Sequence, residues 1–154
     1  MNRYFFSALC VLLLQACTSE TIFQQKYKLD HHSWKTEQVL VFNWDIKDTT
    51  LLFDIELEID HDADFRFQNQ YIKAKTKFPD STTKEQILSL ELFDDTGRPY
   101  GNCVSSTCKT PILLQSRIKF QKSGTYQLQL SQNGREPESP GIHAVQLKIL
   151  KSKV

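Results

Sequence analysis

Charge of one sign is what this chain lacks most plainly. Nineteen Lys and Arg stand against eighteen Asp and Glu in 154 residues, a net charge of +1. A chain so balanced has no overall field for gripping nucleic acid, and that class of partner is excluded. Glycine and proline are scarce, five of each, and none occurs before Pro79. Turns in the first half must therefore be built from Asp and Asn, as at Asp45–Asp48 and Asp60–Asp64. No twelve-residue window carries a helical stripe, and no apolar run reaches the roughly 20 residues that span a bilayer. Gly-x-Ser-x-Gly, His-Glu-x-x-His and the phosphate loop are all missing. What remains is 40% hydrophobic and rich in rings, with ten Phe, five Tyr and two Trp. That is enough apolar material to fold one domain, and too much for a disordered chain.

The N-terminus reads as a processing signal. Arg3 supplies a short positive region, and Tyr4–Leu14 is apolar except for Ser7. Leu14-Gln15-Ala16-Cys17 then places a small residue directly before Cys, with Leu three positions before it. This is the lipobox pattern of bacterial lipoproteins, in which Cys17 is acylated and becomes the first residue of the mature chain; the alternative is an ordinary secretory signal with an incidental Cys. Residues 1–16 carry one Arg and no acid, so the mature chain has eighteen charges of each sign. Membrane attachment must then come from acyl chains on Cys17, because no polybasic patch is left to provide it.

Cysteine use agrees with an exported protein. Once Cys10 leaves with the signal and Cys17 takes lipid, only Cys103 and Cys108 remain. In a compartment that permits oxidation a disulfide is the preferred reading, with a zinc half-site or two free thiols as alternatives. Zinc needs two further ligands, and His31, His32, His61 and His143 show no matching spacing. No metal and no cofactor is expected.

The mature chain alternates with period two. Leu51, Phe53, Ile55, Leu57 and Ile59 alternate with polar residues from Asp54 to Asp60, the signature of a half-buried strand. Leu40, Phe42, Trp44 and Ile46 precede it. Further strands follow at Ile72–Phe78, Ile87–Phe93, Leu114–Phe120, Tyr126–Leu130 and His143–Ile149. The spacing predicts an all-β fold, an antiparallel β-sandwich (jelly-roll or immunoglobulin-like) of about seven or eight strands, with a closed barrel as alternative. The expected layout is a signal peptide at 1–16, a lipidated Cys and polar tether at 17–33, and one sandwich domain at 34–154. Phe23, Gln25, Tyr27 and Leu29 alternate within that tether and allow a first edge strand.

Constellations that suggest chemistry dissolve on inspection. Asp95-Thr96-Gly97 matches the aspartic-protease triplet, but Asp-Asp-Thr-Gly is also a hairpin turn. Asp60, Asp62 and Asp64 open like a calcium loop, yet Phe65 stands where Gly belongs and Tyr71 where Glu belongs. Trp34, Trp44, Tyr71 and Tyr100 are candidate rings for a sugar platform, with Trp44 in phase with the core and Trp34 and Tyr100 expected at the surface. Nothing selects a pair of carboxylates or a nucleophile, so the chain is not read as an enzyme and no small-molecule substrate is assigned. The expected working parts are the Gly97–Pro111 and Gly134–Gly141 loops. Arg98, Tyr100 and Arg135 are the candidate partner-binding residues there, because Tyr and Arg are enriched in interface hot spots.

The order of motifs resembles the GldH family of gliding motility lipoproteins from Bacteroidota. The lipobox Cys17 is followed by an alternating strand ending in Asp60-His61. Phe65 and Phe67 stand where the family often has Tyr-x-Tyr, before Asn69-Gln-Tyr71-Ile and Phe78-Pro79. Phe93-Asp94-Asp95-Thr96-Gly97-Arg-Pro-Tyr-Gly101, then Pro111, Phe120-Gln-Lys-Ser-Gly124-Thr-Tyr126 and the tail from Pro140 to Ile149 complete the match, over roughly residues 40–150. The resemblance implies a lipid-anchored accessory protein of the gliding machinery, whose components overlap with type IX secretion. Its partners would be other envelope proteins, and its place the cell envelope, in the outer membrane. The alternative function is a lipid-anchored carbohydrate-binding module of a surface nutrient system.

Overall fold

The computed structural model describes residues 20–153. The expected signal segment 1–16 and the lipidation residue Cys17 lie outside the described residues. Eleven strands follow one another: β1 Thr21–Lys28, β2 Ser33–Lys35, β3 Leu40–Ile46, β4 Phe53–Asp62, β5 Asn69–Lys77, β6 Thr83–Glu91, β7 Asn102–Val104, β8 Thr107–Ile118, β9 Gly124–Gln132, β10 Glu138–Pro140 and β11 Ile142–Lys151. Eight are long, in keeping with the seven or eight expected from alternation. The other three have three residues each, too few to show a period in the sequence. No α-helix occurs among the described residues, where a single 3-10 turn spans Asp30–His32.

Two antiparallel sheets face each other. One has the order β1-β11-β4-β8-β7 and the other β3-β9-β5-β6, while β2 and β10 pair separately. Separate sheets with free outer strands make this an all-β sandwich rather than a closed barrel. The core is built by the period-two faces: Leu40, Phe42, Trp44 and Ile46 of β3 with Phe53, Leu57 and Ile59 of β4, against Ile72, Leu128, Leu130, Val145 and Leu147. Rings fill the lower end, where Phe120 lies 5.3 Å from Phe53 and 4.7 Å from Tyr126, centroid to centroid.

Three expectations need correction. The tether assigned to 17–33 is folded from Thr21 onward. β1 pairs with β11 along its length, Tyr27 donates its hydroxyl to Val41 O at 2.7 Å, and Leu29 is buried. The edge-strand reading of that segment is the one the structure shows. Trp34, expected at the surface, is fully buried, because β2 is pinned to β10 and the indole Nε1 donates to Gln38 O at 3.0 Å. The strand assigned to Ile87–Phe93 starts earlier and ends earlier, at Thr83–Glu91, with Leu92 and Phe93 buried just beyond it.

Candidate interaction surface

All three residues expected to meet a partner lie at one end of the sandwich. Between β6 and β7 the chain makes a tight turn centred on Asp94, whose Oδ1 accepts from the Thr96 hydroxyl (2.7 Å), the Thr96 amide (2.8 Å) and the Arg98 amide (2.9 Å). These donors, the Thr96 hydroxyl first and the Arg98 amide next, hold the Asp94 carboxyl below the usual carboxylate range. Gly97 sits in this turn at φ +79°, the left-handed region that glycine occupies without steric penalty. Asp95-Thr96-Gly97 is therefore part of a turn. Arg98 projects from it, its Nε 3.4 Å from Asp94 Oδ2 and its side chain largely in solvent. The Tyr100 amide donates to Leu92 O at 2.9 Å, which aims the exposed ring over a shallow depression bordered by Ser89, Glu91, Thr110 and Pro111.

Arg135 is exposed on the neighbouring β9–β10 loop, which Gln132 organises by donating to Glu136 O and accepting from the Gly134 amide. The β4–β5 loop lies between the two, with Arg66 bonded to Glu136 and Gln68 Nε2 donating to Asp95 Oδ1 at 3.2 Å. The fold thus brings Arg98, Tyr100 and Arg135 to one end, but among the described residues no bond joins them. Glu20 lies at the other end, where Lys151 donates from its amide to Glu20 O and from Nζ to Glu20 Oε2.

Much of the segment expected to be the Gly97–Pro111 loop is a hairpin. β7 and β8 pair Asn102–Val104 with Thr107–Lys109, and Cys103 and Cys108 face each other in a disulfide, Cα atoms 3.9 Å apart. Among the described residues no group of three His, Cys, Asp or Glu is placed to hold a metal. Likewise no described helix is long and apolar enough to cross a membrane.

The structure also gathers a histidine cluster that sequence reasoning missed. His61 is fully buried, its ring bonded to Asp62 O (2.8 Å) and Thr110 Oγ1 (2.9 Å). His143 Nε2 lies 2.6 Å from Asp62 Oδ1, and the His143 ring stacks on His32 at 4.0 Å. The signal was present, since His61 continues the odd-numbered phase of Phe53, Leu57 and Ile59. Assigning Asp60–Asp64 to a solvated turn hid it.

One flank of the sandwich is open. β6 is the last strand of its sheet, and in the other sheet β7 covers β8 only at Thr107–Lys109, leaving residues 110–118 without an outer neighbour. Between these edges runs a cleft of about 710 Å³ walled by Leu88, Leu90, Ile112, Leu114 and Trp44. Its lower rim is polar. There Asp80 accepts from Lys122 Nζ and from the Thr82 hydroxyl and amide, bonds that hold its carboxyl well below the usual range. As for the sugar platform, Trp34 and Trp44 are both in the core, while Tyr71 and Tyr100 are exposed on different strands and loops, so no row of stacking rings is formed.

Compared with known proteins, the chain matches the family described as GldH lipoprotein over residues 21–149. It is 22% identical over 149 residues to a gliding motility lipoprotein GldH homolog of Christiangramia forsetii, covering 92% of this chain and 91% of that one. To the gliding motility lipoprotein GldH of Flavobacterium johnsoniae it is 22% identical over 139 residues, covering 90% and 86%.

Proposed function

The chain belongs to the GldH lipoprotein family, and from that membership we propose that it is a non-enzymatic, lipid-anchored accessory protein of the gliding motility machinery and the overlapping type IX secretion system. It is held in the outer membrane by acyl chains on Cys17 and works through contacts with other envelope proteins. The observation that carries this reading is the family match across nearly the whole folded domain, with both relatives named as gliding motility lipoproteins. Geometry supports it. Only Thr18 and Ser19 separate Cys17 from Glu20, which lies at the end of the sandwich away from Arg98, Tyr100 and Arg135. An anchor at one end leaves the other end free to meet partners.

The experiment is deletion of the gene in its native host, followed by complementation, with colony spreading and secreted protein as readouts. Wild type restores both. Cys17→Ser folds, loses acylation and leaves the membrane fraction, and fails to restore them. The triple variant Arg98→Ala, Tyr100→Ala, Arg135→Ala folds and restores them at most in part. A deletion that spreads and secretes like the parent overturns the motility role; full function in the triple variant places the contact surface elsewhere.

A further inference from the structure

We propose that the open flank accepts an extended segment of a partner protein, eight or nine residues long, which adds to β6 as a further strand and places alternate apolar side chains in the cleft. This names the partner's chemistry for the protein-contact role proposed above and rests on that role.

The backbone makes the first argument. Tyr71 O accepts from the Asn133 amide on the β9 side, and the Leu92 amide donates to Gln68 O on the β6 side. Direction alternates along a strand, and the register pairs Ile72 with Leu88 and Gln70 with Leu90. Even-numbered β6 residues therefore bond to β5, and Glu85, Ile87 and Ser89 turn their N–H and C=O groups outward. That row of outward groups is uninterrupted by Pro, Gly or bulge, the kind of edge that pairs with another chain. On the facing edge Pro111 lacks an N–H, and it directs an incoming strand to β6 rather than β8.

The side chains make the second argument. Leu88 and Leu90 on β6 and Ile112 and Leu114 on β8 present apolar surface from both walls, spaced to receive every second residue of a strand. At the back of the cleft Trp44 is buried with its Nε1 lacking any acceptor, which a carbonyl or side-chain oxygen of the occupant can meet. Lys84 and Lys119 border the cleft without ion pairs among the described residues, while Lys122 is taken by Asp80. The segment that fits is apolar at alternate positions and carries a carboxylate toward the lower rim. A lone acyl chain would fill the cleft but leave the outward amides unmet.

The test is amide hydrogen exchange on the full lipidated chain, in outer membranes of the native host and after purification in detergent. The amides of Glu85, Ile87 and Ser89 are expected to exchange at least ten-fold more slowly in the membranes. Ile87→Pro removes one outward donor without touching the β5–β6 ladder, and it abolishes this protection. Ile87→Thr alters the same exposed side chain, keeps the donor and keeps the protection. Glu85→Pro repeats the test should Ile87→Pro not fold. Equal exchange in membranes and detergent overturns strand addition. Protection that persists in detergent together with a doubled mass makes the occupant a second copy, and protection of the remaining outward amides that survives both Pro variants shows cover without strand pairing; either result overturns the proposal. Protection in the membranes of a host whose deletion strain still glides and secretes normally supports strand addition and sinks only the motility role.

Discussion

Leu57 and Leu113 sit in neighbouring strands at adjacent rungs, since Leu57 pairs with Ile112 and Glu56 with Leu113. Their side chains have opposite fates. Leu57 is fully buried, whereas Leu113 is 57% exposed on the outer face of β8. Truncating Leu57 to Ala removes three buried carbons, a transfer loss of about 2.4 kcal/mol at about 0.8 kcal/mol per methylene. The cavity left between β4 and the facing sheet adds to that, for a total of about 3 to 4 kcal/mol. Leu113→Ala removes the same atoms from a site that is already wet, and should cost within about 0.5 kcal/mol. With an unfolding entropy of about 2.1 cal/mol/K per residue over about 130 folded residues, Leu57→Ala should lower Tm by roughly 11 to 15 °C and Leu113→Ala by no more than about 2 °C. The assay is urea and thermal unfolding of the non-lipidated Cys17→Ser chain carrying each substitution, with m unchanged as the sign that only stability has moved. Equal losses in the two variants would refute the facing assigned to β4 and β8. A Leu113→Ala loss above about 2 kcal/mol would mean that the outer face of β8 is covered in solution.

How much of this was legible in the sequence depends on how local the cause of each feature is. Phe53, Leu57 and Ile59, like Leu40, Phe42 and Ile46, announce their strands because each strand carries its own alternation, and nothing distant is needed to read it. Trp34 shows the opposite case. Ser33–Lys35 is too short for a period, and what buries the indole is pairing with Glu138–Pro140, about a hundred residues away. β6 begins earlier than its alternation suggests because its first half, Thr83–Gln86, is polar, as suits an edge strand with solvent on both sides of that stretch. His61 keeps phase with the apolar residues before it, but its flanking aspartates look like a turn, and the partner that satisfies it, Thr110, lies on another strand. Arg98, Tyr100 and Arg135 stand out by the composition of their loops, and the fold places those loops at one end of the sandwich. The open flank was not legible at all. It exists because β7 is short and nothing follows β6 in its sheet, and strand order leaves no mark on local sequence.

Other consequences can be measured directly. The Cys103–Cys108 bridge closes a loop of only six residues, so reduction should cost about 2 kcal/mol and leave the far-UV spectrum native; mass spectrometry of unreduced protein should show the 103–108 bridge intact, and alkylation of both residues without reductant would refute it. Gly101→Ala should destabilise by about 1 to 3 kcal/mol and disorder the Tyr100 loop, because a Cβ at Gly101 runs into the Lys109 carbonyl, which belongs to backbone and cannot swing away; a melting curve identical to wild type would mean the loop approaches β8 less closely. The last consequence concerns acidity. The carbonyl of Asp62 can only accept, so His61 Nδ1 donates to it and Nε2 accepts from the Thr110 hydroxyl, an arrangement complete in the neutral ring. Burial pushes the His61 pKa below its ordinary 6.5, outweighing the pull of the Asp62 carbonyl and the charges of Asp62 and Asp60. Below about pH 6.5 the unfolded chain therefore binds a proton at this position that the folded chain does not, and stability must fall as pH falls until the folded ring also titrates. Urea midpoints should drop between pH 7.5 and 5, a window above the range in which the lowered carboxyls of Asp54, Asp80 and Asp94 take up protons. His61→Gln, which can keep a donor and an acceptor in place, should flatten that slope, with His143→Gln as the control for its partly buried neighbour beside Asp62. A slope unchanged in His61→Gln but lost in His143→Gln would refute the assignment of the acid sensitivity to His61.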